Sequence, residues 1–218
     1  MTTEDLRFEY IENFGCKEDE LLRALERETA LTQIHPKMIS GCYQGHLLAM
    51  LVKMTGAKRV LEIGTFSGYS SICMARALPA DGRLVTIEVD DEIEWLSSKY
   101  FQKAGLQDKI TAIVGDASKV VPTLEGQFDM VFIDGDKREY ISYFEAVLPK
   151  LAPNGLIVAD NVIWYDKIFT ETASNDHMTH GIMAFNEYIA KRTDVEKIIL
   201  PVRDGLMLIR RADSLACL

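Results

Sequence analysis

The chain has 218 residues, of which 48% are hydrophobic and 26% charged, as expected for a globular protein with a buried core. Its 33 acidic residues outnumber its 24 basic ones, and the net charge of −9 disfavours nucleic acid as a partner because phosphates would be repelled. No linker-like tract or internal repeat divides the sequence. We therefore predict a single domain over 1–218, with a helical N-terminal part at 1–55 and an α/β core at 56–218.

The sequence predicts neither a membrane span nor a secretion signal. No apolar stretch approaches the roughly 20 residues that span a bilayer, and the acidic start has no apolar signal-peptide core. The cysteines, Cys16, Cys42, Cys73 and Cys217, form no CxxC pair, which argues against a zinc site and a disulfide framework. We expect a cytoplasmic protein in which Cys73, among apolar neighbours, is a buried small hydrophobe rather than a reactive thiol.

The predicted elements change character along the chain. Helical periodicity runs through 4–14, 18–32 and 41–55. A short apolar run at 59–63, which ends at Gly64, is typical of a buried strand. Strands and helices then alternate, with strands predicted at 84–88, 110–114, 130–133 and 156–159 and helices at 70–77, 91–104, 116–124 and 140–151.

The end of the chain breaks this alternation. A helix at 178–192 is followed by strands at 196–200 and 206–210, which are joined so briefly that they must be antiparallel. Apolar strands alternating with helices predict a mostly parallel sheet that helices cover on both faces. The expected fold is α/β and Rossmann-like, with seven strands and an antiparallel C-terminal strand. This is the outline of class I methyltransferases.

The first candidate site is the turn EIGTFSGYS at 62–70, between the first strand and the next helix. Glycines at such a turn let the backbone pass close to a ligand. The spacing is GxxxG rather than the GxGxxG of dinucleotide-binding folds, which suits a nucleoside without phosphates. The alternative is a tight turn that needs glycine for steric reasons alone.

Two further acidic positions follow strands. Glu88 lies 20 residues after Gly68, where a carboxylate can accept hydrogen bonds from both ribose hydroxyls. It could instead be a solvated acid that caps the next helix. After the third strand, Asp116 is also placed to cap a helix, and an adenine-facing role for Asp116 and Ala117 rests on their position.

Acids at the ends of two neighbouring strands suggest a metal site. The strand at 130–133 runs into Asp134, Asp136 and Lys137, and the strand at 156–159 runs into Asp160 and Asn161. Parallel neighbours place these ends side by side, where open α/β sheets bind ligands. The oxygens of Asp134, Asp160 and Asn161 favour a hard cation, Mg²⁺ or Mn²⁺ and also Ca²⁺, although each acid alone could merely cap a turn.

In this order, VLEIGTFSGYS, the acid at Glu88, GDA, FIDGDK and ADN resemble the caffeoyl-CoA O-methyltransferase-like family, relatives of catechol O-methyltransferase, over essentially the whole chain. The resemblance implies a cation-dependent transfer of methyl from S-adenosylmethionine to a hydroxyl of a catechol-like or phenolic molecule. It implies Asp134, Asp160 and Asn161 as metal ligands and Lys137 as general base. Combined with the strand-end argument, it gives the cofactor-binding set Ser40, Glu62, Gly64, Thr65, Ser70, Glu88, Asp116, Ala117, Asp134 and Asp136.

The sequence departs from the plant members at two places. Gly135 stands where they more often have alanine, and 162–165 replaces a segment in which they carry a substrate-contacting asparagine. Caffeoyl-CoA itself is therefore not the expected acceptor. In 162–165, Trp164 and Tyr165 would either stack on an aromatic acceptor or pack the base of the loop.

A mechanism follows from these roles. Two vicinal oxygens chelating the metal would align the attacking oxygen with the methyl group, and Lys137 would take the proton or would instead pair with Asp134 or Asp136. The polar segment 164–180 lacks strand or helix periodicity and is expected to form a lid. Its HxxH pair, His177 and His180, is disfavoured as a metal site because the oxygen donors already account for a cation.

Three rival functions remain at this point. The first is methylation of a hydroxylated uridine in tRNA, which the net charge of −9 disfavours unless basic residues converge. The second is a nicotinamide-dependent oxidoreductase, which the GxxxG spacing opposes, and the third is an inactive cofactor-binding protein. The family resemblance and the apolar N-terminal helices further suggest a homodimer.

Overall fold

The computed structural model describes residues 3–15 and 17–212, so Cys16 and Cys217 lie outside the described residues. The chain starts with three helices, α1 (Thr3–Gly15), α2 (Glu20–Thr32) and α3 (Gly41–Thr55). The carboxylate of Asp19 caps α2 by accepting a hydrogen bond from the amide of Leu22 at 2.9 Å. Gly56 ends α3 in a left-handed conformation, with φ of 64°. The three predicted N-terminal helices are confirmed.

A seven-stranded sheet forms the centre of the molecule. The strands are β1 (Arg59–Ile63), β2 (Arg83–Glu88), β3 (Ile110–Val114), β4 (Phe128–Ile133), β5 (Leu151–Ala159), β6 (Val195–Leu200) and β7 (Leu206–Arg211). Their order is β3-β2-β1-β4-β5-β7-β6. The first five strands run parallel, and β7 is antiparallel to both β5 and β6. The predicted Rossmann-like sheet with its antiparallel C-terminal strand is confirmed.

Five further helices cover the sheet: α4 (Tyr69–Ala77), α5 (Glu94–Lys103), α6 (Ala117–Val120), α7 (Tyr140–Val147) and α8 (His177–Lys191). Alternate strand residues contribute to two apolar clusters on opposite faces. In β1, Val60 packs with α2 to α5, whereas Leu61 packs with α6 to α8. Cys73 is buried in the first cluster, and burial raises the pKa of its thiol to about 12, which confirms its structural role.

Several element boundaries differ from the sequence predictions. Pro122 and Pro149 lie in 3₁₀ turns, so α6 and α7 end earlier than expected and β5 already begins at Leu151. The helix predicted from 178 begins at His177, because the Asp176 carboxylate accepts a hydrogen bond from the amide of Thr179 at 3.1 Å. The aperiodic segment therefore ends at Asp176 rather than at 180. Within the described ranges, no helix is long and apolar enough to cross a membrane.

Candidate active site

The carboxyl ends of the parallel strands open into a cavity of about 1390 Å³. This is the position at which open α/β sheets bind ligands, because the strand order reverses at β1 and β4. Most of the predicted site residues line this cavity: Ser40, Gly64, Glu88, Asp116, Ala117, Asp134, Asp136, Lys137, Asp160 and Asn161. The other three, Glu62, Thr65 and Ser70, do not line it.

Gly64 brings the ends of β1 and β4 unusually close together. Its φ of 98° lies in the left-handed region, and a Cβ added there would overlap the carbonyl group of Asp134. Gly68 has φ of 85° at the start of α4, and a Cβ there would overlap the ring of Phe101. The steric explanation is therefore confirmed for both glycines. Gly64 also lines the cavity, and the ligand-binding role of the turn stays a prediction.

A buried carboxylate supports this turn from behind. Glu62 is fully buried and accepts hydrogen bonds from the hydroxyls of Ser70 at 2.5 Å, Thr86 at 2.7 Å and Ser71. The hydroxyl of Thr65 lies 2.6 Å from that of Thr86 and extends the network. Burial raises the pKa of Glu62 to about 7. The structure thus places Glu62, Thr65 and Ser70 one layer behind the cavity wall, where they hold the turn in shape.

Glu88 is oriented by backbone amides at the end of β2. Its carboxylate accepts hydrogen bonds from the amide of Phe66 at 2.8 Å, of Val89 at 2.9 Å and of Asp90 at 3.1 Å. Helix capping belongs to Asp90, which accepts a hydrogen bond from the amide of Glu92 at 3.0 Å. Glu88 is therefore a fixed carboxylate facing the cavity rather than a solvated cap.

Asp116 caps a helix and also lines the cavity. Its carboxylate caps α6 by accepting a hydrogen bond from the amide of Ser118 at 2.9 Å. Both Asp116 and Ala117 also line the cavity on the side of Glu88. Helix capping and a place beside a ligand are thus compatible at this position.

Lys137 is held at the other end of the cavity. Its ammonium group donates hydrogen bonds to Asp134 and to the hydroxyl of Tyr140, both at 2.7 Å, and only 6% of the residue is exposed. The rings of Tyr140 and Trp164 lie 4.9 and 5.8 Å from its Nζ atom. Asp136 pairs with Arg138 instead. Of the two partners considered from the sequence, the lysine takes Asp134.

Asp160 is almost fully buried at the end of β5. Its carboxylate accepts hydrogen bonds from the side-chain amide of Gln44 at 2.5 Å and from the backbone amide of Asn161 at 2.7 Å. Burial, followed by the negative charge of Asp134, raises its pKa to about 7. A bound cation would remove this unfavourable electrostatic interaction, so the oxygen-donor set fits a divalent metal ion.

The donor set has few carboxylates. Among residues 3–15 and 17–212, no group of three or more His, Cys, Asp or Glu side chains could hold a metal ion. The predicted ligands are two carboxylates and one amide, so they would need oxygens from a ligand or water to complete an octahedral shell. Neither His177 nor His180 lines the cavity, and the His180 ring contacts the carbonyl of Ala173 at 3.1 Å.

Sequence reasoning missed four polar residues at this end: Gln44, Tyr140, Arg203 and Asp204. Arg203 donates a hydrogen bond to Gln44 at 3.1 Å and another to the carbonyl of Ser40, while Gln44 contacts Asp160. The hydroxyl of Tyr140 donates to the carbonyl of Asp160 at 3.0 Å. Only Asp204 had a local signal, a polar residue before Gly205 in the turn between β6 and β7.

The comparisons with known proteins agree with this fold. The family model described as O-methyltransferase matches residues 12–212. A catechol O-methyltransferase of Niastella koreensis is 38% identical over 195 residues, which cover 88% of this chain and 87% of that protein. A putative caffeoyl-CoA O-methyltransferase of Arabidopsis thaliana is 34% identical, with 89% and 88% covered.

Solved structures of methyltransferases have a similar fold. The S-adenosylhomocysteine-bound methyltransferase PaMTH1 of Podospora anserina superposes with a TM-score of 0.89 at 28% identity, over 97% of this chain and 96% of the other. The O-methyltransferase TomG of Streptomyces achromogenes, in complex with S-adenosylmethionine, gives 0.87 at 33% identity, over 98% and 100%.

The chain belongs to the O-methyltransferase family. It is an S-adenosylmethionine-dependent O-methyltransferase of the caffeoyl-CoA and catechol type, and the nicotinamide-dependent oxidoreductase and the inactive binding protein are wrong.

Proposed function

We propose that this O-methyltransferase requires a divalent cation and methylates a hydroxyl of a catechol-like or phenolic small molecule. The observation that carries the proposal is the meeting of Asp134, Asp160 and Asn161 in one cavity, beside the buried ammonium group of Lys137. The similar catechol O-methyltransferase of Niastella koreensis supports the acceptor class.

The cofactor would occupy the part of the cavity between Gly64 and Ala117. We assign Glu88 to the ribose hydroxyls, because three backbone amides already fix its carboxylate. Asp116 and Ala117 would flank the adenine, and Gly64, Ser40, Asp134 and Asp136 would surround the methionine part. Glu62, Thr65 and Ser70 would act on the cofactor through the turn that they support.

The acceptor would lie between Lys137 and Trp164. Asp134, Asp160 and Asn161 would hold the metal, whose positive charge would lower the pKa of a nearby acceptor hydroxyl. Lys137 would receive the hydroxyl proton at Nζ once it is neutral, and Asp134 and Tyr140 keep that nitrogen in place. Trp164 supplies an aromatic wall, and the exposed Tyr165 and Phe169 support a lid role for the segment that ends at Asp176.

A homodimer in the cytoplasm is part of the proposal. Leu31 and Ile34 are 77% and 90% exposed at the end of α2 and just beyond it, and Met50 and Met54 are exposed on α3. Exposed apolar side chains on such helices can form a surface that a partner covers. Light scattering coupled to size-exclusion chromatography tests the assembly, since a mass near 49 kDa is expected for two chains of 24.6 kDa.

The deciding experiment measures transfer of labelled methyl from S-adenosylmethionine to a panel of catechols. We expect turnover with Mg²⁺ or Mn²⁺, its loss in excess EDTA and its return when metal is restored. Calorimetric binding of the cofactor serves as the control for a folded protein. Turnover that persists in EDTA would contradict the proposed metal requirement. Cofactor binding without turnover would contradict the proposed acceptor class and would favour hydroxylated uridine in tRNA as the acceptor.

A further inference from the structure

The cavity wall beyond β5 contains an unusual backbone. Trp164, Tyr165 and Asp166 are three successive residues with positive φ, at 52°, 55° and 59°. Left-handed backbone costs a residue other than glycine about 1 to 2 kcal/mol, so such a turn forms only when its surroundings stabilise it. We call residues 164–166 the left-handed turn.

Asp204, in the β6–β7 connection, makes hydrogen bonds that stabilise this turn. Its carboxylate accepts a hydrogen bond from the amide of Tyr165 at 2.5 Å, and its backbone carbonyl accepts one from the amide of Ile163 at 2.9 Å. The carbonyl of Gly205 accepts a third from the amide of Val162 at 3.1 Å. Asp204 and Gly205 therefore bind both the two residues before the left-handed turn and one residue within it.

The same carboxylate also contacts the predicted metal site. Its second oxygen accepts a hydrogen bond from the side-chain amide nitrogen of Asn161 at 3.3 Å. An amide that donates in one direction presents its carbonyl oxygen in the other. Asp204 thus fixes which atom of Asn161 is available as a ligand, while Asn161 itself has a left-handed φ of 57°.

The left-handed turn places Trp164 beside the proposed acceptor position. It carries the Trp164 ring to a position 5.8 Å from the Nζ atom of Lys137, and Asp204 lines the cavity beside it. We propose that Asp204 is a positioning residue that sets Asn161 for the metal and the Trp164 wall for the acceptor with a single carboxylate. The inference rests on the proposed cation dependence, which it deepens.

The test uses Trp164 as its own reporter. The chain has two tryptophans, so Trp95→Phe leaves Trp164 as the only one and serves as the parent protein. In this parent, Asp204→Ala should shift the tryptophan emission to longer wavelength and increase acrylamide quenching about twofold. It should also raise the Kd for Mn²⁺, measured by calorimetry with S-adenosylmethionine present, about tenfold or more.

Asp204→Asn separates the two roles. The asparagine oxygen can still accept from the amide of Tyr165, but its NH2 group then faces the side-chain nitrogen of Asn161 and offers it no acceptor. We expect the parent emission together with a raised Kd for Mn²⁺. Asp129→Ala is the matched control, because that carboxylate accepts hydrogen bonds from the amides of Lys58 and Arg59, both at 2.8 Å, outside the cavity lining. It should leave both readings at parent values.

Two results would overturn the inference. The first is an Asp204→Ala emission spectrum identical to the parent, because the left-handed turn would then stand without the carboxylate. The second is a shifted spectrum with an unchanged Kd for Mn²⁺, which would reduce Asp204 to a structural role. Neither reading requires turnover, so an inactive parent that binds Mn²⁺ would count against the catechol acceptor and not against Asp204.

Discussion

Two segments of the cavity wall both contain residues with positive φ, but the left-handed backbone is stabilised differently in each. In the turn from Gly64 to Gly68, two of the three residues with positive φ are glycines. In the segment from Asn161 to Asp166, four residues have positive φ and none is a glycine. The first segment carries its conformation in its own sequence, whereas the second depends on hydrogen bonds from Asp204. On the proposed cofactor side, glycines in the segment itself allow most of the left-handed backbone, whereas on the proposed acceptor side it depends on tertiary contact.

The largest effect should come from changing Gly64, where an added Cβ would meet backbone atoms that cannot move aside easily. Gly64→Ala places a Cβ against the carbonyl of Asp134 at a φ of 98°, and we expect a loss of about 4 kcal/mol in the free energy of unfolding. Gly56→Ala is the control, because its φ is 64° but no atom lies within 4 Å, and it should lose about 1 kcal/mol. Urea unfolding measures both, and equal losses would contradict the steric argument.

The buried carboxyls beneath the two segments should make stability depend on pH. Glu62 and Asp160 have folded-state pKa values of about 7, above their ordinary values of 4.5 and 3.8. Between about pH 4.5 and 7 the folded protein therefore holds protons that the unfolded chain has lost, and the free energy of unfolding falls as pH rises. Each group contributes a slope of about 1.4 kcal/mol per pH unit where the folded state holds one full proton more on that group than the unfolded chain does.

Glu62→Gln removes the contribution of Glu62 to the pH dependence of the free energy of unfolding. Urea unfolding in EDTA at pH 5, 6 and 7 should show a decline with about half the wild-type slope, because only Asp160 remains of the two carboxyls with a pKa of about 7. A variant with the full wild-type slope would show that Glu62 keeps its charge throughout. On the proposed cation dependence, adding Mn²⁺ and cofactor should remove the contribution of Asp160 to the slope, since a bound cation favours its ionised form.

Tyr140 offers a smaller effect on the acceptor side. Tyr140→Phe keeps the ring near Lys137 but removes the hydroxyl that accepts from its ammonium group, and kcat should fall about tenfold while KM for S-adenosylmethionine stays unchanged. In a Lys137→Met background the same change should have no further effect. Tyr100→Phe, a buried hydroxyl that donates to Glu28 at 2.9 Å, is the control. Equal losses in both backgrounds would mean that Tyr140 does not act through Lys137.

The smallest effect tests the left-handed turn directly. Asp166 has φ of 59°, and its side chain makes no capping hydrogen bond, so Asp166→Gly should relieve backbone strain. We expect a gain of about 0.5 kcal/mol in the free energy of unfolding, because the greater flexibility of the unfolded chain offsets part of the relief. A loss of stability in thermal or urea unfolding would show that the non-glycine backbone is not strained.

The sequence by itself determined the sheet, the glycine turn and ten of the residues that line the cavity. Strand periodicity, the GxxxG spacing and the acids after β2, β4 and β5 are local patterns, and parallel strands necessarily bring their carboxyl ends together. Boundaries at Pro122 and Pro149 were less predictable, because a 3₁₀ turn and a short helix share similar patterns.

Tertiary structure alone decided how the acceptor side is held. Gln44 and Asp160 are 116 residues apart in the chain, and Asn161 and Asp204 are 43 apart, yet each pair forms a hydrogen bond. Which atoms these side chains meet is fixed only when α3 and the β6–β7 turn pack around the end of β5. A periodic pattern reports which face of an element is buried, but the partner of a polar side chain depends on where distant elements come to lie.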